Sequence, residues 1–153
     1  MPIYLIQHGK SLPKDLDPEK GLSEEGRAET EKMAELAKEY GVAVSAIKHS
    51  GKKRARQTAE IFAEALKPED GTGELDGLGP MDDAAAFSNI IEKTENWMIV
   101  GHLPFMTRLV SFLITGSIEK VLLKFQNSGI LCLDKDANEK TWIIKWALMP
   151  NIS

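Results

Sequence analysis

The sequence has little that would place the protein in an oxidising compartment or in a membrane. Its 153 residues include one cysteine, Cys132, so no disulfide can form within the chain. No apolar stretch approaches the roughly 20 residues that a membrane-spanning helix requires. The first residues, MPIYLIQH, lack the basic start and the cleavage site of a signal peptide. We therefore expect a cytoplasmic protein without a membrane partner, in which Cys132 is a small core residue.

An excess of positive charge is also missing. Lysine and arginine number 19 against 23 acidic residues, and the net charge of -4 argues against nucleic acid as a partner. Hydrophobic residues make up 42% and charged residues 27%, as in ordinary globular domains. The chain contains no repeat, low-complexity tract or evident linker. We therefore predict a single domain over residues 1–153.

Short apolar runs alternate with longer amphipathic ones. Strands are predicted at IYLIQ, VSAIKH and NWMIVGH, with two more in SGILCLDKDANEKTWIIKWAL around a polar turn at 136–138. Helices are predicted from the N-cap Ser23 to about Tyr40, over KKRARQTAEIFAEALK, over 83–93 and over LPFMTRLVSFLIT, while 68–79 is predicted as loop. This order predicts a three-layer α/β/α fold, with a mostly parallel sheet and helices on both faces. The face of the first helix that should be buried is Ala28, Met33, Leu36, Ala37 and Tyr40.

The three histidines of the chain all end a predicted strand: His8, His49 and His102. In parallel sheets ligands bind beyond the carboxyl ends of the strands, so this placement suggests a site. Glycine next to His8 and His102 would let the backbone approach a ligand closely. The segment KKRARQT adds four cations within five residues at a helix start, where anions are favoured. Guanidinium groups can grip phosphate oxygens, and neutral imidazole can attack phosphorus, so the pattern predicts a phosphoryl site.

Three segments, LIQHGKS, HSGKKRARQTAE and IVGHLP, resemble the signature segments of the histidine phosphatase superfamily, also called phosphoglycerate mutase-like. GLSEEGRAE is similar to that family's Leu-Thr-x-x-Gly helix start. The short length and the order of the segments most resemble the bacterial phosphohistidine phosphatases of the SixA type. The resemblance runs from residue 3 to about residue 115. It implies a single histidine phosphatase domain, a reaction without metal or cofactor, and a phosphorylated protein as substrate, such as a histidine phosphotransfer domain.

The resemblance also implies roles for individual residues. His8 matches the nucleophile, which would be phosphorylated transiently. Arg54 matches the arginine that binds the phosphoryl oxygens, and His102 matches the histidine that donates to the phosphoryl group. The expected substrate- or phosphate-binding positions around these three catalytic residues are Gln7, Gly9, Ser11, Lys20 and Gly101.

Other polar residues near the motifs are given smaller roles. Ser50 is expected to shape the turn before the arginine segment, and His49 is expected to be structural. A zinc site of two histidines and a carboxylate is a lesser alternative to the metal-free reaction. Four cations could either raise the positive field at the mouth of the site or be ordinary surface charges: Lys10, Lys52, Lys53 and Arg56.

Gln7 stands where the family has an arginine. Glutamine keeps an N–H donor but loses the charge and the bidentate fork. Losing one such electrostatic donor typically lowers the rate about 10²- to 10³-fold. Three interpretations follow: the enzyme is slow, a lysine such as Lys10, Lys20 or Lys52 replaces the charge, or the protein binds a phosphorylated partner without turning it over.

No motif identifies a general acid. The loop GELDGLGPMDDAAAF offers Glu74, Asp76, Asp82 and Asp83, of which the last two are candidate acids, although their position at a helix start favours capping. Phosphohistidine has a weaker P–N bond, and its leaving imidazole needs no dedicated strong acid. We therefore predict a phosphohistidine phosphatase that forms a covalent intermediate on His8. The alternatives are a small-molecule phosphomonoesterase of the same superfamily and a weakened, non-catalytic phosphate-binding module.

Overall fold

The computed structural model describes residues 1–138 and 140–152, which form one sheet with helices on both sides. The strands are β1 (Ile3–Gln7), β2 (Ala46–His49), β3 (Thr72–Glu74), β4 (Trp97–Gly101), β5 (Ile130–Lys135) and β6 (Trp142–Leu148). The helices are α1 (Glu24–Glu39), α2 (Lys53–Leu66), α3 (Ala84–Ile91) and α4 (Phe105–Thr115). None of these helices is long and apolar enough to span a membrane.

The six strands lie in the order β3-β2-β4-β1-β5-β6. Strands β1, β2, β3 and β4 pair in parallel, whereas β5 runs antiparallel to both of its neighbours, so the predicted mostly parallel sheet is confirmed. Gln7 of β1 pairs with Gly101 of β4, and His49 of β2 pairs with Val100 of β4. The residues that follow β1, β2 and β4 therefore meet at one edge of the sheet.

The two faces of the sheet are covered by different helix pairs. Along β1, Ile3 and Leu5 pack with α3 and α4, whereas Tyr4 and Ile6 pack with α1 and α2. Successive side chains of a strand point to opposite faces of the sheet, so the short apolar run of β1 contributes side chains to both hydrophobic cores. This confirms the three-layer architecture. Cys132 is buried in the α1/α2 core, and burial raises the pKa of its thiol to about 11, consistent with a packing residue.

Two local predictions were wrong. Strand β3 lies within the predicted loop 68–79 and pairs with β2, since three residues containing a glycine are too few to show a strand period. The buried face of α1 is also rotated from the predicted one: Tyr40 is 70% exposed and Ala28 is exposed, while Gly26 and Thr30 are buried. A Cβ on Gly26 would lie 2.1 Å from the carbonyl oxygen of Lys10, so α1 packs directly on the backbone that follows His8.

Candidate active site

His8 is the first residue after β1, and its backbone N–H donates to the carbonyl of Gly101 at 3.0 Å. Its ring Nδ1 lies 2.7 Å from the carbonyl oxygen of Gly9. A carbonyl can only accept, so in the neutral ring Nδ1 carries the hydrogen and Nε2 keeps its lone pair. This is the tautomer that a nucleophilic histidine requires.

Distant side chains hold the peptides on either side of His8. Asn127 Nδ2 donates to the His8 carbonyl at 2.9 Å, and the Gly9 N–H donates to Thr58 Oγ1 at 2.9 Å. The Thr58 hydroxyl in turn donates to the Arg54 carbonyl at 2.8 Å. The fully buried Thr58 hydroxyl therefore forms one hydrogen bond to the loop of His8 and one to α2, the helix that carries Arg54. Thr58 lies within the motif RQT and so carries a sequence signal, whereas Asn127 lies in no motif.

The two glycines next to the histidines are explained by close packing. A Cβ on Gly9 would lie 2.5 Å from Thr30 Oγ1, and one on Gly101 would lie 2.9 Å from Met106 Sδ. Both positions therefore exclude a side chain because protein atoms already occupy the space. That Gly9 and Gly101 bind phosphate stays a prediction.

His102, the first residue after β4, is 1% exposed and lies directly beside His8. The two ring centroids are 5.0 Å apart, with an angle of 52° between the ring planes. His102 Nε2 lies 2.6 Å from Ser50 Oγ, so Ser50 does more than shape a turn. His102 Nδ1 is buried and has no hydrogen-bond partner in the part of the chain that the structure describes.

Both rings are neutral at pH 7. The pKa of His8 is lowered to about 4, mainly by burial and then by Arg54 and Lys20, although the bond to Gly9 opposes the change. The pKa of His102 is lowered to about 3 by burial, followed by His8, Arg54 and Lys52. The charged side chains that act on the two rings are thus cations. Such a field favours a bound anion.

The structure separates the candidate cations into paired and unpaired ones. Lys10 binds Glu25 at 2.7 Å, Lys53 binds Asp17 at 2.9 Å, and Arg56 lies 3.7 Å from Glu60 on the exposed side of α2. No ion pair or side-chain hydrogen bond forms at Lys20, Lys52 or Arg54 within residues 1–138 and 140–152. These three are the cations left free to meet an anion.

Lys20 is presented by a tightly bonded loop. The Asp17 carboxylate pairs with Lys53 and accepts the backbone N–H groups of Gly21 and Glu19, and these contacts together lower its pKa to about 2. Lys20 itself has a φ of 53°, in the left-handed region that non-glycine residues rarely occupy. Such a conformation persists only where the surrounding structure fixes it, and here it brings a cation to His8.

Gln7 and Ser11 lie on either side of His8 in the sequence. The Gln7 backbone carbonyl accepts from Ser128 N–H at 2.8 Å, while its side-chain Oε1 is buried and has no partner in the described chain. Ser11 forms an isolated antiparallel bridge with Leu22, which closes the loop between them. Contact of either side chain with phosphate stays a prediction.

The two candidate general acids have local roles. Asp82 accepts the Gly79 N–H at 2.7 Å, and Asp83 caps α3 by accepting the Ala86 N–H at 3.0 Å. Both are exposed, and neither is among the groups that shift the histidine pKa values. Asp83 therefore has the capping role that its position favoured, whereas Asp82 bonds the loop before α3. That either carboxylate acts as the general acid stays a prediction.

His49 has the structural role expected of it. It is buried, and its Nδ1 accepts the Gly51 N–H at 3.0 Å. Across residues 1–138 and 140–152, no three histidine, cysteine or carboxylate side chains are grouped as metal ligands would be. The zinc alternative therefore has no third ligand beside His8 and His102 in this part of the chain.

Comparisons with known proteins agree with this geometry. Residues 3–78 match the model of the histidine phosphatase superfamily, branch 1. The protein histidine phosphatase SixA complexed with tungstate superposes with a TM-score of 0.82 at 24% identity, covering 98% of this chain and 97% of that one. A candidate phosphohistidine phosphatase SixA from Agrobacterium tumefaciens gives 0.78 at 26% identity, covering 97% of each chain.

A more distant structure shares the fold alone. A candidate alpha-ribazole-5'-P phosphatase from Escherichia coli gives a TM-score of 0.78 at 15% identity, covering 100% of this chain and 99% of that one. A search among curated protein sequences finds no significant match. The fold agrees with the phosphoglycerate mutase-like expectation over the whole length.

Proposed function

Because the chain belongs to the histidine phosphatase superfamily, we propose that it removes the phosphoryl group from phosphohistidine in a phosphorylated protein. The superfamily and the structural relatives make it a phosphatase hydrolase. A histidine phosphotransfer domain is the kind of protein that would carry the substrate. His8 is the proposed nucleophile, and Arg54 and His102 are the proposed partners of the phosphoryl group.

The first step transfers the phosphoryl group to His8. The His8 Nε2 lone pair attacks phosphorus, the P–N bond of the substrate breaks, and the substrate imidazole leaves with the electron pair. That imidazole leaves as a neutral ring when its other nitrogen already carries a proton. Arg54 would hold the phosphoryl oxygens, and the Nδ1–H bond to Gly9 would stabilise the positive charge that develops on His8.

The second step regenerates the enzyme. Water attacks the phosphorus of phosphohistidine 8, the bond to Nε2 breaks, and inorganic phosphate is released. Across both steps one water is consumed: its oxygen and hydrogens leave with the inorganic phosphate, and the substrate imidazole keeps the proton that it already carried. The reaction is therefore a hydrolysis split into two displacements, which is the usual advantage of covalent catalysis.

One observation carries the choice of phosphohistidine over a phosphate ester. The charged side chains that act on His8 and His102 are cations, and the candidate acids already accept backbone N–H groups, Asp82 from Gly79 in the loop and Asp83 from Ala86 in the first turn of α3. An alkoxide leaving group needs a proton from a nearby acid, whereas an imidazole does not. A site that holds phosphate among cations, without an adjacent carboxylate, suits the weaker P–N bond.

Phosphoryl transfer to His8 can be tested directly. Purified protein is mixed with phosphoramidate, and the acid-labile, base-stable phosphate is located by peptide mass spectrometry. We expect phosphate on His8, release as inorganic phosphate, and inhibition by vanadate. His8→Gln should abolish labelling and Arg54→Ala should slow it strongly, while Arg56→Ala, two residues along the same helix and exposed, serves as the matched control. Equal slow hydrolysis by wild type and His8→Gln would contradict the proposal.

A substrate panel separates the enzyme classes. We expect turnover of a phosphohistidine protein and little turnover of sugar phosphates. The reverse result would identify a small-molecule phosphomonoesterase. Gln7, which lacks the charge of the arginine found at this position in the family, favours one further candidate, a module that binds a phosphorylated protein without turnover. Saturable vanadate binding without phosphate release from His8 would support that candidate.

A further inference from the structure

The peptide unit that joins His8 to Gly9 is held at both of its polar groups. Its carbonyl accepts from Asn127 Nδ2 at 2.9 Å, and its N–H donates to Thr58 Oγ1 at 2.9 Å. The two partners lie in different parts of the fold, the turn before β5 and helix α2. A peptide unit is planar, so two such contacts on opposite sides fix its orientation. We call this pair of contacts the peptide clamp.

The Asn127 side of the clamp is a tight turn over residues 126–129. The turn closes with a hydrogen bond from the Gly129 N–H to the Gln126 carbonyl at 2.9 Å. Ser128 within it has a φ of 64°, in the left-handed region that serine rarely adopts. Its N–H donates to the Gln7 carbonyl at 2.8 Å, which anchors the turn on the end of β1. Asn127 is therefore presented to the His8 carbonyl by backbone that is itself fixed.

Two buried hydroxyls join the same turn to α1. Thr30 Oγ1 donates to the Gly26 carbonyl at 2.7 Å and lies 2.7 Å from Ser128 Oγ. Because the single Thr30 hydrogen is used on that carbonyl, Ser128 donates to Thr30. Both residues are fully buried, and a Cβ on Gly9 would lie 2.5 Å from the Thr30 hydroxyl oxygen. The turn, α1 and Gly9 therefore pack as one unit.

The Thr58 side of the clamp is part of α2. Thr58 is fully buried and donates its hydrogen to the Arg54 carbonyl at 2.8 Å, so toward Gly9 its oxygen only accepts. This direction agrees with the Gly9 N–H as donor. Since Arg54 is the proposed partner of the phosphoryl group, Thr58 fixes the peptide of His8 relative to the helix that carries this arginine.

The clamp acts on the contact that selects the reactive nitrogen of His8. The acceptor of Nδ1–H is the Gly9 carbonyl, 2.7 Å away. The torsions between the ring and this carbonyl include ψ of His8 and φ of Gly9, and the clamped peptide fixes both. The hydrogen bond of one ring nitrogen decides which tautomer is present. If Nδ1–H loses its acceptor, the hydrogen can move to Nε2, which then has no lone pair for attack.

We propose that Asn127 and Thr58 are positioning residues for phosphoryl transfer to His8: by holding the peptide between His8 and Gly9, they keep the Gly9 carbonyl on Nδ1–H and leave the lone pair on Nε2. The proposal rests on the proposed function, because it concerns the nucleophile of that reaction. In this role neither side chain contacts the phosphoryl group. Loss of either should therefore slow the transfer without weakening the binding of an anion.

Variants on both sides of the clamp test the proposal. Asn127→Leu keeps most of the side-chain volume and removes the donor, and Thr58→Val removes the hydroxyl. Each should lower the maximal rate of His8 phosphorylation by phosphoramidate about 10- to 100-fold. The affinity for inorganic phosphate, measured by calorimetry, should stay within threefold of wild type. Thr58→Ser keeps the hydroxyl and should recover most of the rate, and the control Asn89→Leu, at an exposed position of α3, should keep the wild-type rate.

A second measurement follows the His8 ring itself. Long-range ¹H–¹⁵N spectra at pH 8, where the ring is neutral, should show the wild-type hydrogen on Nδ1. In Asn127→Leu and Thr58→Val, part of the signal should move to Nε2–H. Urea unfolding checks that each variant is folded under the conditions of the assay. If the buried Thr58→Val does not fold, Asn127→Leu decides, since Asn127 is only half-buried.

Three outcomes would overturn the proposal. Phosphorylation rates within threefold of wild type for the folded variants would exclude a role in the reaction. A loss of rate matched by an equal loss of phosphate affinity would assign the two residues to the general structure of the site. A hydrogen that stays on Nδ1 in the variants would show that the clamp does not set the tautomer. If wild type forms no phosphate adduct on His8, the proposed function fails, yet the same spectra still decide whether the clamp controls the ring.

Discussion

Substituting Gln7 by arginine and by methionine should change activity and stability in opposite directions. Gln7 is half-buried at the end of β1, next to His8, and its Oε1 is buried without a partner in the described chain. A buried acceptor without a hydrogen bond costs about 1 to 3 kcal/mol. Methionine has a similar length and no polar group. Gln7→Met should therefore raise the free energy of unfolding by about 1 kcal/mol.

Gln7→Arg should have the opposite effect on stability. It adds a cation to a site where the charged groups acting on the histidines are already the cations Arg54, Lys20 and Lys52. At an effective dielectric constant of about 20, such repulsion lowers the free energy of unfolding by about 1 to 2 kcal/mol. A bound anion relieves it, so vanadate should stabilise Gln7→Arg more than it stabilises wild type.

The rates of His8 phosphorylation should rank the variants in the opposite order to their free energies of unfolding. A positioned cation at residue 7 should accelerate phosphorylation of His8 about 10²- to 10³-fold. Gln7→Met, which loses the amide donor, should be slower by about 10-fold. The assay is single-turnover labelling by phosphoramidate, combined with urea unfolding with and without vanadate. Rates within threefold of wild type for both variants would refute the reasoning, unless Lys20 already supplies the charge. In that case Lys20→Ala should phosphorylate His8 at least 10-fold more slowly than wild type, whereas the control Lys14→Ala, at an exposed position, should keep the wild-type rate.

Three further predictions concern other parts of the site. Thr58→Val removes both hydrogen bonds of the buried hydroxyl, and should lower the free energy of unfolding by about 2 kcal/mol in urea titrations, whereas Thr58→Ser should not. Asp83→Ala loses the α3 cap and should lower the free energy of unfolding by about 1 kcal/mol while leaving the rate of His8 labelling unchanged; a slower rate would support Asp83 as the acid. Acidification from pH 8 to pH 5 should lower the free energy of unfolding by about 2 to 4 kcal/mol. In the unfolded chain, His8 and His102 take up protons near their ordinary pKa of 6.5. In the folded protein, their pKa values are about 4 and about 3, so both rings stay neutral over this pH range. His102→Gln should flatten that dependence, measured by urea unfolding at each pH.

The fold could be predicted because its central strands are buried on both faces. The runs that became β1 and β4 are continuously apolar and end abruptly, so both their existence and their ends were evident in the sequence. Strand β3 carries no such signal, since its three residues gain their structure from pairing with β2. The buried face of α1 was mispredicted for a related reason, because close approach to the backbone at Lys10 selects Gly26 and Thr30 over larger side chains.

The candidate site could be predicted only in part. His8, Arg54 and His102 lie in motifs, and strand direction brings the two histidines together. Asn127 carries no pattern of its own, because its contact with the His8 carbonyl spans 119 positions of the chain. The pairing of Ser50 with His102 likewise depends on the register between β2 and β4, which the sequence does not encode locally.

The central position of β1 has a consequence for the timing of synthesis. His8 is translated long before its partners, since β1 pairs with β5 and the carbonyl of His8 is held by Asn127, 119 residues later. At about 5 to 20 residues per second, the ribosome needs about 6 to 24 s to cover that interval. The hydrogen bond to the His8 carbonyl therefore cannot form until Asn127 has been made. A nascent chain that stalls before β5 would carry His8 without its complete surroundings, so the proposed phosphate transfer should begin only once β5 has been made and has paired with β1.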